Sequence, residues 1–445
     1  MCLERKEVFS GIPGIFYCSG IENNGKCVIF QWVLFDTVLS ICSGALLLER
    51  TVWNWIMKKK IVIVGGCGHV GIPLGLAFAS RGMDVTLLDR DSGHVKMINN
   101  GTLPFKEEGG EEILLKHLNR DLRATVDPEA VHTADVVVFV VGTPVDEHLS
   151  PKVRNVLQVI EEYLPCISDD QLIVMRSTLF PGTMQIIGKL LADRGIRAKL
   201  AFCPERILQG KGIEEIFQLP QIVSGLSGDA EDAAAELFSS LTDKVIRTSC
   251  MEAELAKLMT NSWRYLEFAI ANQFYMMASD SGVDFNNVYA AMTADYPRAK
   301  SFARPGLAAG PCLFKDTMQL ASFYHNNFFL GHAAMLINEG LPDHLVKNLK
   351  QKMGGSLCNK KIAILGMTFK ADNDDIRESL AFKVKKLLEI EMAQVIPSDP
   401  YLPDTVPLEQ ALAEADGIIL GVPHREYRDI VPAVPSEDCW GCWVR

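Results

Sequence analysis

Residues 60–71 read Lys-Ile-Val-Ile-Val-Gly-Gly-Cys-Gly-His-Val-Gly, and residues 84–89 read Asp-Val-Thr-Leu-Leu-Asp. The first stretch is a short β-branched run that breaks into Gly66-x-Gly68-x-x-Gly71, and apolar residues then recur at helical spacing to Arg81. A second apolar strand follows and closes on Asp89. Strand, glycine turn, helix and strand make a βαβ unit. Glycines in such a turn let the backbone approach a pyrophosphate, whose charge the helix N-terminus stabilises. Gly66, Gly68, His69, Val70 and Gly71 are therefore a candidate dinucleotide cradle, with Asp89 placed for the ribose hydroxyls. A carboxylate there repels a 2′-phosphate, so NAD is expected over NADP, although Arg90 beside it offsets part of that preference.

Outward from this unit, further apolar runs occur at 135–141, 172–175, 198–202 and 221–224, with helical stretches between them. Alternation of this kind implies an α/β fold with a doubly wound parallel sheet. From Met251 to about Met353 the strand signals vanish and a helical period takes over. At Lys360 the α/β signal restarts with Lys-Ile-Ala-Ile-Leu-Gly, and Ala415-Asp416 before an apolar run loosely repeats Ala134-Asp135. The expected layout is an extension over 1–56, a dinucleotide-binding domain over 57–250, a helical central domain over 251–354 and a smaller Rossmann-like domain over 355–445.

A chain of 445 residues has room for about three cores at roughly 150 residues each. The net charge of −11, with Lys and Arg scattered, argues against a nucleic-acid partner. The twelve cysteines are irregularly spaced and read as reduced thiols. Cys439-x-x-Cys442 lacks the second pair of a zinc site, and no metal is expected. The apolar run at 28–48 is long enough to cross a bilayer but carries Asp36. Because Met57-Lys58-Lys59-Lys60 leads straight into a buried-strand pattern, residues 1–56 read as an adventitious extension rather than a membrane anchor.

Lys257 and Asn261, four apart, share one face of the predicted helix. Each alone reads as an ordinary surface residue; together they could supply a cation and an amide donor to a developing alkoxide. Cys312 lies in a glycine-containing loop with Lys315 and Asp316 close by. Most cysteines are inert core residues, but a nearby ammonium can lower a thiol's pKa toward reactivity.

Several motifs occur in one order: Gly66-x-Gly68-x-x-Gly71, Gly142-Thr143-Pro144, Arg176-Ser177-Thr178 with Pro181-Gly182-Thr183, and Pro204-Glu205-Arg206. Lys257/Asn261, the Cys312 loop, Phe369-Lys370 and Asp375-Ile376-Arg377-Glu378-Ser379 complete the set. As an ordered whole, from Lys58 to about Tyr427, it resembles the UDP-glucose/GDP-mannose dehydrogenase family. The resemblance implies a cytoplasmic, NAD-dependent, two-step oxidation of a UDP-sugar at C6, as in polysaccharide biosynthesis, and a homodimer or higher homo-oligomer built through the helical domain. It implies that Cys312 is the nucleophile, that Lys257 and Asn261 stabilise an oxyanion and that Thr178 and Asp316 position a water. Glu205 would assist thioester hydrolysis. It further implies that Gly142, Thr143, Ser177 and Arg377 line the cofactor, and that Glu205, Arg206, Lys257, Phe369 and Lys370 contact the sugar nucleotide. Arg298 would reach the substrate of a neighbouring subunit.

The chain departs from the family pattern in three places, one of them after Tyr427, where its last residues only loosely resemble the family's usual end. Ala309 stands where a glycine is usual before the cysteine, and Pro204-Glu205-Arg206-Ile207 is closer to the branch acting on UDP-N-acetylhexosamines than to enzymes acting on UDP-glucose. UDP-glucose 6-dehydrogenase is the alternative, followed by a 3-hydroxyacid dehydrogenase of the 6-phosphogluconate type, which needs neither the cysteine nor residues 355–445. A non-catalytic, membrane-tethered protein that kept the fold would have no use for Cys312, Lys257, Asn261 and Asp316 together.

Overall fold

The computed structural model describes residues 17–21, 27–31, 59–307 and 310–440. The chain divides into a unit at Met1–Asn54 and a unit at Trp55–Arg445. In the first, strand β1 (Tyr17–Ile21) pairs antiparallel with β2 (Cys27–Gln31). Most of the apolar run at 28–48, on which a membrane anchor would depend, lies outside the described residues. Among the described residues no helix is long and apolar enough to cross a membrane.

The second unit opens with β3 (Lys60–Val64), whose side chains alternate between two cores. Ile61 and Ile63 pack on one face with the helix Gly71–Ser80, while Val62 and Val64 join the core on the other. A strand buried on both faces has to be apolar at consecutive positions, which is why the run is continuous rather than alternating. Seven strands follow: β4 (Asp84–Leu88), β5 (Leu122–Thr125), β6 (Val136–Phe139), β7 (Leu172–Met175), β8 (Lys199–Phe202), β9 (Gln221–Gly225) and β10 (Val245–Arg247). Their spatial order is β10-β9-β8-β7-β6-β3-β4-β5. The order reverses beside β3, so the loops after β3 and β6 flank a crevice at the carboxyl end of the sheet. One pairing departs from the parallel expectation, because β9 runs antiparallel to β8.

Two glycines bring strand and helix together. A Cβ on Gly66 would lie 2.8 Å from the Leu87 Cα, and one on Gly71 would lie 2.6 Å from the Gly66 Cα. Only hydrogen fits there, so the helix N-terminus sits directly over the end of β3.

A 31-residue helix, Cys250–Asp280, leads away from this sheet, started by a capping box between Ser249 and Glu252. Its buried face is unusually polar, carrying Glu254, Lys257, Asn261 and Asn272 beside Tyr265 and Tyr275. It packs against helices Leu313–Phe323 and Phe329–Lys352. The second sheet is wholly parallel, in the order β12 (Gln394–Ser398), β11 (Lys361–Leu365), β13 (Gly417–Leu420) and β14 (Ser436–Asp438). The far end of the long helix reaches it through the Tyr275 hydroxyl, 3.3 Å from the Glu437 carboxylate.

Candidate active site

Lys257 and Asn261 are both buried on the long helix, one turn apart. The Asn261 amide donates to Asp316 Oδ2 at 2.6 Å, and Lys315 Nζ lies 2.8 Å from Asp316 Oδ1. Asp316 is in the first turn of the helix that starts directly after Cys312, and its own N–H donates to the Cys312 carbonyl at 2.9 Å. Lys315 also donates to Thr143 Oγ1 at 3.0 Å, and the Gln319 amide to the Thr143 carbonyl at 3.2 Å. The Cys312 helix is thus fastened to the loop after β6. Burial lowers the pKa of the Lys257 ammonium, against the opposing pull of Asp316, the Cys312 thiol and Glu205.

Cys312 keeps an exposed surface, but protein surrounds its thiol on most sides. Burial pushes its pKa up and Asp316 pushes further, while Lys315, Lys257 and Arg377 pull it down without prevailing. This corrects the expectation drawn from the neighbouring ammonium: the cations are present, but desolvation outweighs them. The loop before the thiol passes through Gly310 at φ +100°, where a Cβ would lie 2.6 Å from the Phe369 ring. Phe369, from the second sheet domain, therefore lies against that loop. Ala309 lies outside the described residues.

Glu205 follows β8, with its carboxylate largely engaged. Oε2 accepts from Arg176 at 2.5 Å, and Oε1 accepts from the N–H groups of Arg206 and Ile207 at 2.6 and 3.0 Å. Thr178 lies on the segment after β7. The Ser177 hydroxyl accepts from the Val141 N–H at 2.7 Å, so it braces the turn that carries Gly142 and Thr143. In the glycine loop the Cys67 N–H donates to Asp89 Oδ2 at 3.0 Å, which holds the carboxylate at the end of β4 beside the cradle. A Cβ on Gly68 would meet only the Gly65 carbonyl, at 3.7 Å, so the loop surface is open. Glycines packed against β4, an open loop face and a tethered carboxylate fit a dinucleotide.

The second sheet domain closes over this loop. The His69 ring stacks on Phe105 at 3.8 Å, and its Nε2 lies 3.7 Å from the Asp375 carboxylate, which is itself paired with Arg377 at 2.6 Å. Burial and the nearby Arg377 lower the His69 pKa to about 4. Lys370 donates to the Gln209 carbonyl across the same boundary.

Two predicted residues are not brought to this cluster. The Arg206 guanidinium donates to the Pro220 carbonyl. Arg298 is exposed and contacts Tyr296, donating to its hydroxyl at 2.7 Å. Two others hold the site together: Glu254, not singled out from the sequence, and Arg176, quoted there within a motif but given no role. Glu254, one turn before Lys257, accepts from the N–H groups of Gly182 and Met184 at 2.7 and 2.9 Å, capping the helix Thr183–Asp193. Arg176 is fully buried. A buried acid or cation amid apolar positions was the available signal for both.

Asp372, His424 and Glu426 lie close enough together for a metal ion. His424 has no lone pair to offer, since Nδ1 accepts from the Asp372 N–H at 2.9 Å and Nε2 faces Asp399 at 3.0 Å. A cavity of about 530 Å³ lined by Tyr275, Asp284, Asn348, Lys352 and Glu437 contains none of the predicted residues.

Compared with known proteins, residues 59–242 match the NAD binding domain of the UDP-glucose/GDP-mannose dehydrogenase family, residues 251–339 its central domain and residues 363–438 its UDP binding domain. The chain is similar to the UDP-N-acetyl-D-mannosamine dehydrogenase of Pyrococcus horikoshii, with 30% identity over 389 residues that span 83% of this chain and 90% of that protein. The solved structure of a UDP-D-ManNAc dehydrogenase from Pyrococcus horikoshii superposes with a TM-score of 0.78 at 28% identity, covering 83% of this chain and 91% of that one. The native structure of the UDP-N-acetyl-mannosamine dehydrogenase Cap5O from Staphylococcus aureus gives 0.75 at 27% identity, covering 84% and 90%.

Proposed function

Since the chain belongs to the UDP-glucose/GDP-mannose dehydrogenase family and is an NAD-dependent UDP-sugar dehydrogenase, we propose that it oxidises C6 of a UDP-N-acetylhexosamine, with UDP-N-acetylmannosamine the first candidate, to the uronate through a covalent intermediate on Cys312. The observation that carries this reading is the meeting of Cys312, Lys257, Asn261 and Asp316 beside the Thr143 loop. The similar UDP-N-acetylmannosamine dehydrogenases and the Arg206-Ile207 pair after Glu205 support the choice of sugar.

NAD, when bound, accepts one hydride in each of two oxidations. Lys257 and Asn261 donate to the C6 oxygen as negative charge grows on it, each good donor contributing about 3 kcal/mol. The lowered pKa of the buried Lys257 ammonium lets it exchange a proton at less cost than an exposed lysine. Cys312 Sγ bonds to the aldehyde carbon as the thiol proton passes to a neighbouring base, and the oxygen gains a proton, giving a thiohemiacetal. Loss of the second hydride leaves a thioester. Water, oriented by Thr178 and Asp316, attacks that carbon while Glu205 accepts its proton. The C–S bond breaks and the thiol is restored. The sum is alcohol, water and two NAD⁺ giving carboxylate, two NADH and three protons.

The domain limits that fit this scheme are 57–250, 251–354 and 355–445. Met259, Trp263, Ile270, Phe274 and Met277 form an exposed apolar stripe along the long helix. Such a stripe calls for a covering partner, and a second copy of the chain is the proposed occupant. Arg298, exposed beside Tyr296, would then serve that copy.

The test is turnover on a panel of UDP-sugars with NADH counted per sugar and the protein weighed during turnover. Two NADH per carboxylate and a sugar-nucleotide adduct on Cys312 are expected, with no adduct in Cys312→Ala. An undiminished steady-state rate in Cys312→Ala refutes the mechanism, and a strong preference for UDP-glucose refutes the choice of sugar.

A further inference from the structure

Arg176, directly after β7 at the carboxyl end of the eight-stranded sheet, has no exposed surface. Burying a guanidinium is costly, and here its two Nη groups, though not the buried Nε, find hydrogen-bond partners. Nη1 donates to the Cys203 carbonyl at 2.9 Å, and Nη2 donates both to Glu205 Oε2 at 2.5 Å and to Gln221 Oε1 at 2.9 Å. The cation also lies over the Phe238 ring, 4.7 Å from its centre. Gln221, the first residue of β9, can be there because β9 runs antiparallel to β8: its start lies beyond the carboxyl end of β8, where Cys203 and Glu205 follow. In a parallel β9 that residue would be at the opposite edge. The reversed β8–β9 pairing therefore supplies the second anchor of Arg176.

On the other side, the same carboxylate accepts the N–H groups of Arg206 and Ile207. Held from two directions by three donors, Glu205 has one orientation. Of its neighbours, only the guanidinium offers a rigid fork that can grip a carbonyl, an amide and a carboxylate together; a lysine ammonium is a single point.

We infer that Arg176 is a positioning residue, which orients the Glu205 carboxylate for the hydrolytic half of the reaction. The inference rests on the proposed role of Glu205 as acceptor of the water proton. Arg176 would then matter to thioester hydrolysis far more than to either hydride transfer, whereas a residue that only joined strands would slow every step and lower the melting temperature in proportion.

The experiment uses the full chain with UDP-N-acetylmannosamine and NAD in rapid-mixing absorbance at 340 nm, plus mass spectrometry of quenched samples. In Arg176→Lys the first NADH should form within about threefold of the natural rate, with the Kd values for the sugar nucleotide and NAD within about twofold. Thioester hydrolysis should fall at least tenfold, and the Cys312 adduct should accumulate. Arg176→Lys combined with Glu205→Gln should be no slower than Glu205→Gln alone. Gln221→Leu keeps the guanidinium and removes one anchor, so it should show the same stall more weakly; it decides the matter if Arg176→Lys does not fold. Equal slowing of all steps, or additive effects in the double variant, overturns the positioning role. A Glu205→Gln enzyme that hydrolyses its thioester normally overturns the role of Glu205 instead.

Discussion

Gly68→Ala and Gly71→Ala, two methyl groups three residues apart in one loop, should have different effects. A Cβ on Gly71 would lie 2.5 Å from the Gly66 carbonyl oxygen and 2.6 Å from its Cα. Carbon atoms in good contact sit about 3.5–4.0 Å apart, so the helix would have to retreat from β3 by roughly 1 Å. Overpacking of that kind costs about 1–3 kcal/mol, and the alanine returns about 0.5–1 kcal/mol in helix propensity. The net loss of about 1–2 kcal/mol corresponds to a melting temperature lower by roughly 2–8 °C. A Cβ on Gly68 would touch only the Gly65 carbonyl, at an ordinary 3.7 Å, so the fold should tolerate it. Its methyl would instead stand on the open face where a pyrophosphate has to approach. Losing one charge-assisted hydrogen bond of about 1.5–3 kcal/mol raises the Kd for NAD roughly tenfold or more. Scanning calorimetry and titration calorimetry read the two quantities separately. A Gly68→Ala protein that binds NAD as tightly as before, or melts as early as Gly71→Ala, refutes the reasoning.

Asp316→Asn should speed alkylation of Cys312 by iodoacetamide at pH 7.5 severalfold, because it removes the charge that, after burial, does most to raise the thiol pKa; Lys315→Met should slow it. Peptide mass spectrometry reads both rates, with exposed Cys358 as internal reference, and an unchanged Cys312 rate contradicts the electrostatic account. Asp89→Asn should narrow the preference for NAD over NADP, visible as a ratio of kcat/KM values. Equal turnover with both cofactors in the natural enzyme would sink the assignment. Burial alone would raise the Asp399 carboxyl, but hydrogen bonding and attraction from His424 and donation by the Met367 and Tyr401 N–H groups hold it below its usual 3.8. A depressed folded pKa means stability present above about 3.8 and lost as pH falls through the folded value. Melting temperature should therefore drop more steeply below pH 4 than it does in Asp399→Asn. A chain beginning at Met57 should be as active as the whole in a steady-state assay, because no residue of the proposed site precedes Gly66; loss of activity on that truncation overturns the reading of residues 1–56 as adventitious.

The βαβ opening was legible because three constraints coincide there: a strand buried on two faces must be continuously apolar, the close approach of helix to strand demands Gly66 and Gly71, and Asp89 must end the next strand. The reversal of β9 was not legible, since Gln-Ile-Val-Ser has the same pattern in either direction. Leu122–Thr125, Val245–Arg247 and Ser436–Asp438 form strands too short to show a period. At the site, the helical spacing of Lys257 and Asn261 gave their common face. Which carboxylate Asn261 would meet is tertiary, as is the engagement of Arg206 by the Pro220 carbonyl. The Cys312 thiol shows the limit plainly: Lys315 and Asp316 can be counted along the chain, whereas the burial that prevails, and the Lys257 and Arg377 charges that oppose it, come from elsewhere in the fold.

The long helix sets a rule for how such a chain can diverge. Spanning about 46 Å at 1.5 Å per residue, it carries Lys257 near one end and Tyr275, which touches the second sheet, near the other. One inserted residue between Asn261 and Tyr275 would turn everything beyond it by about 100° and swing the Tyr275 hydroxyl away from Glu437. Substitutions on its outer face leave that alignment untouched. Lineages descended from a common ancestor of this protein should therefore differ in the letters of the solvent-facing polar positions of residues 250–280 but almost never in the number of residues there, while gaining and losing residues in the surface loops between the strands.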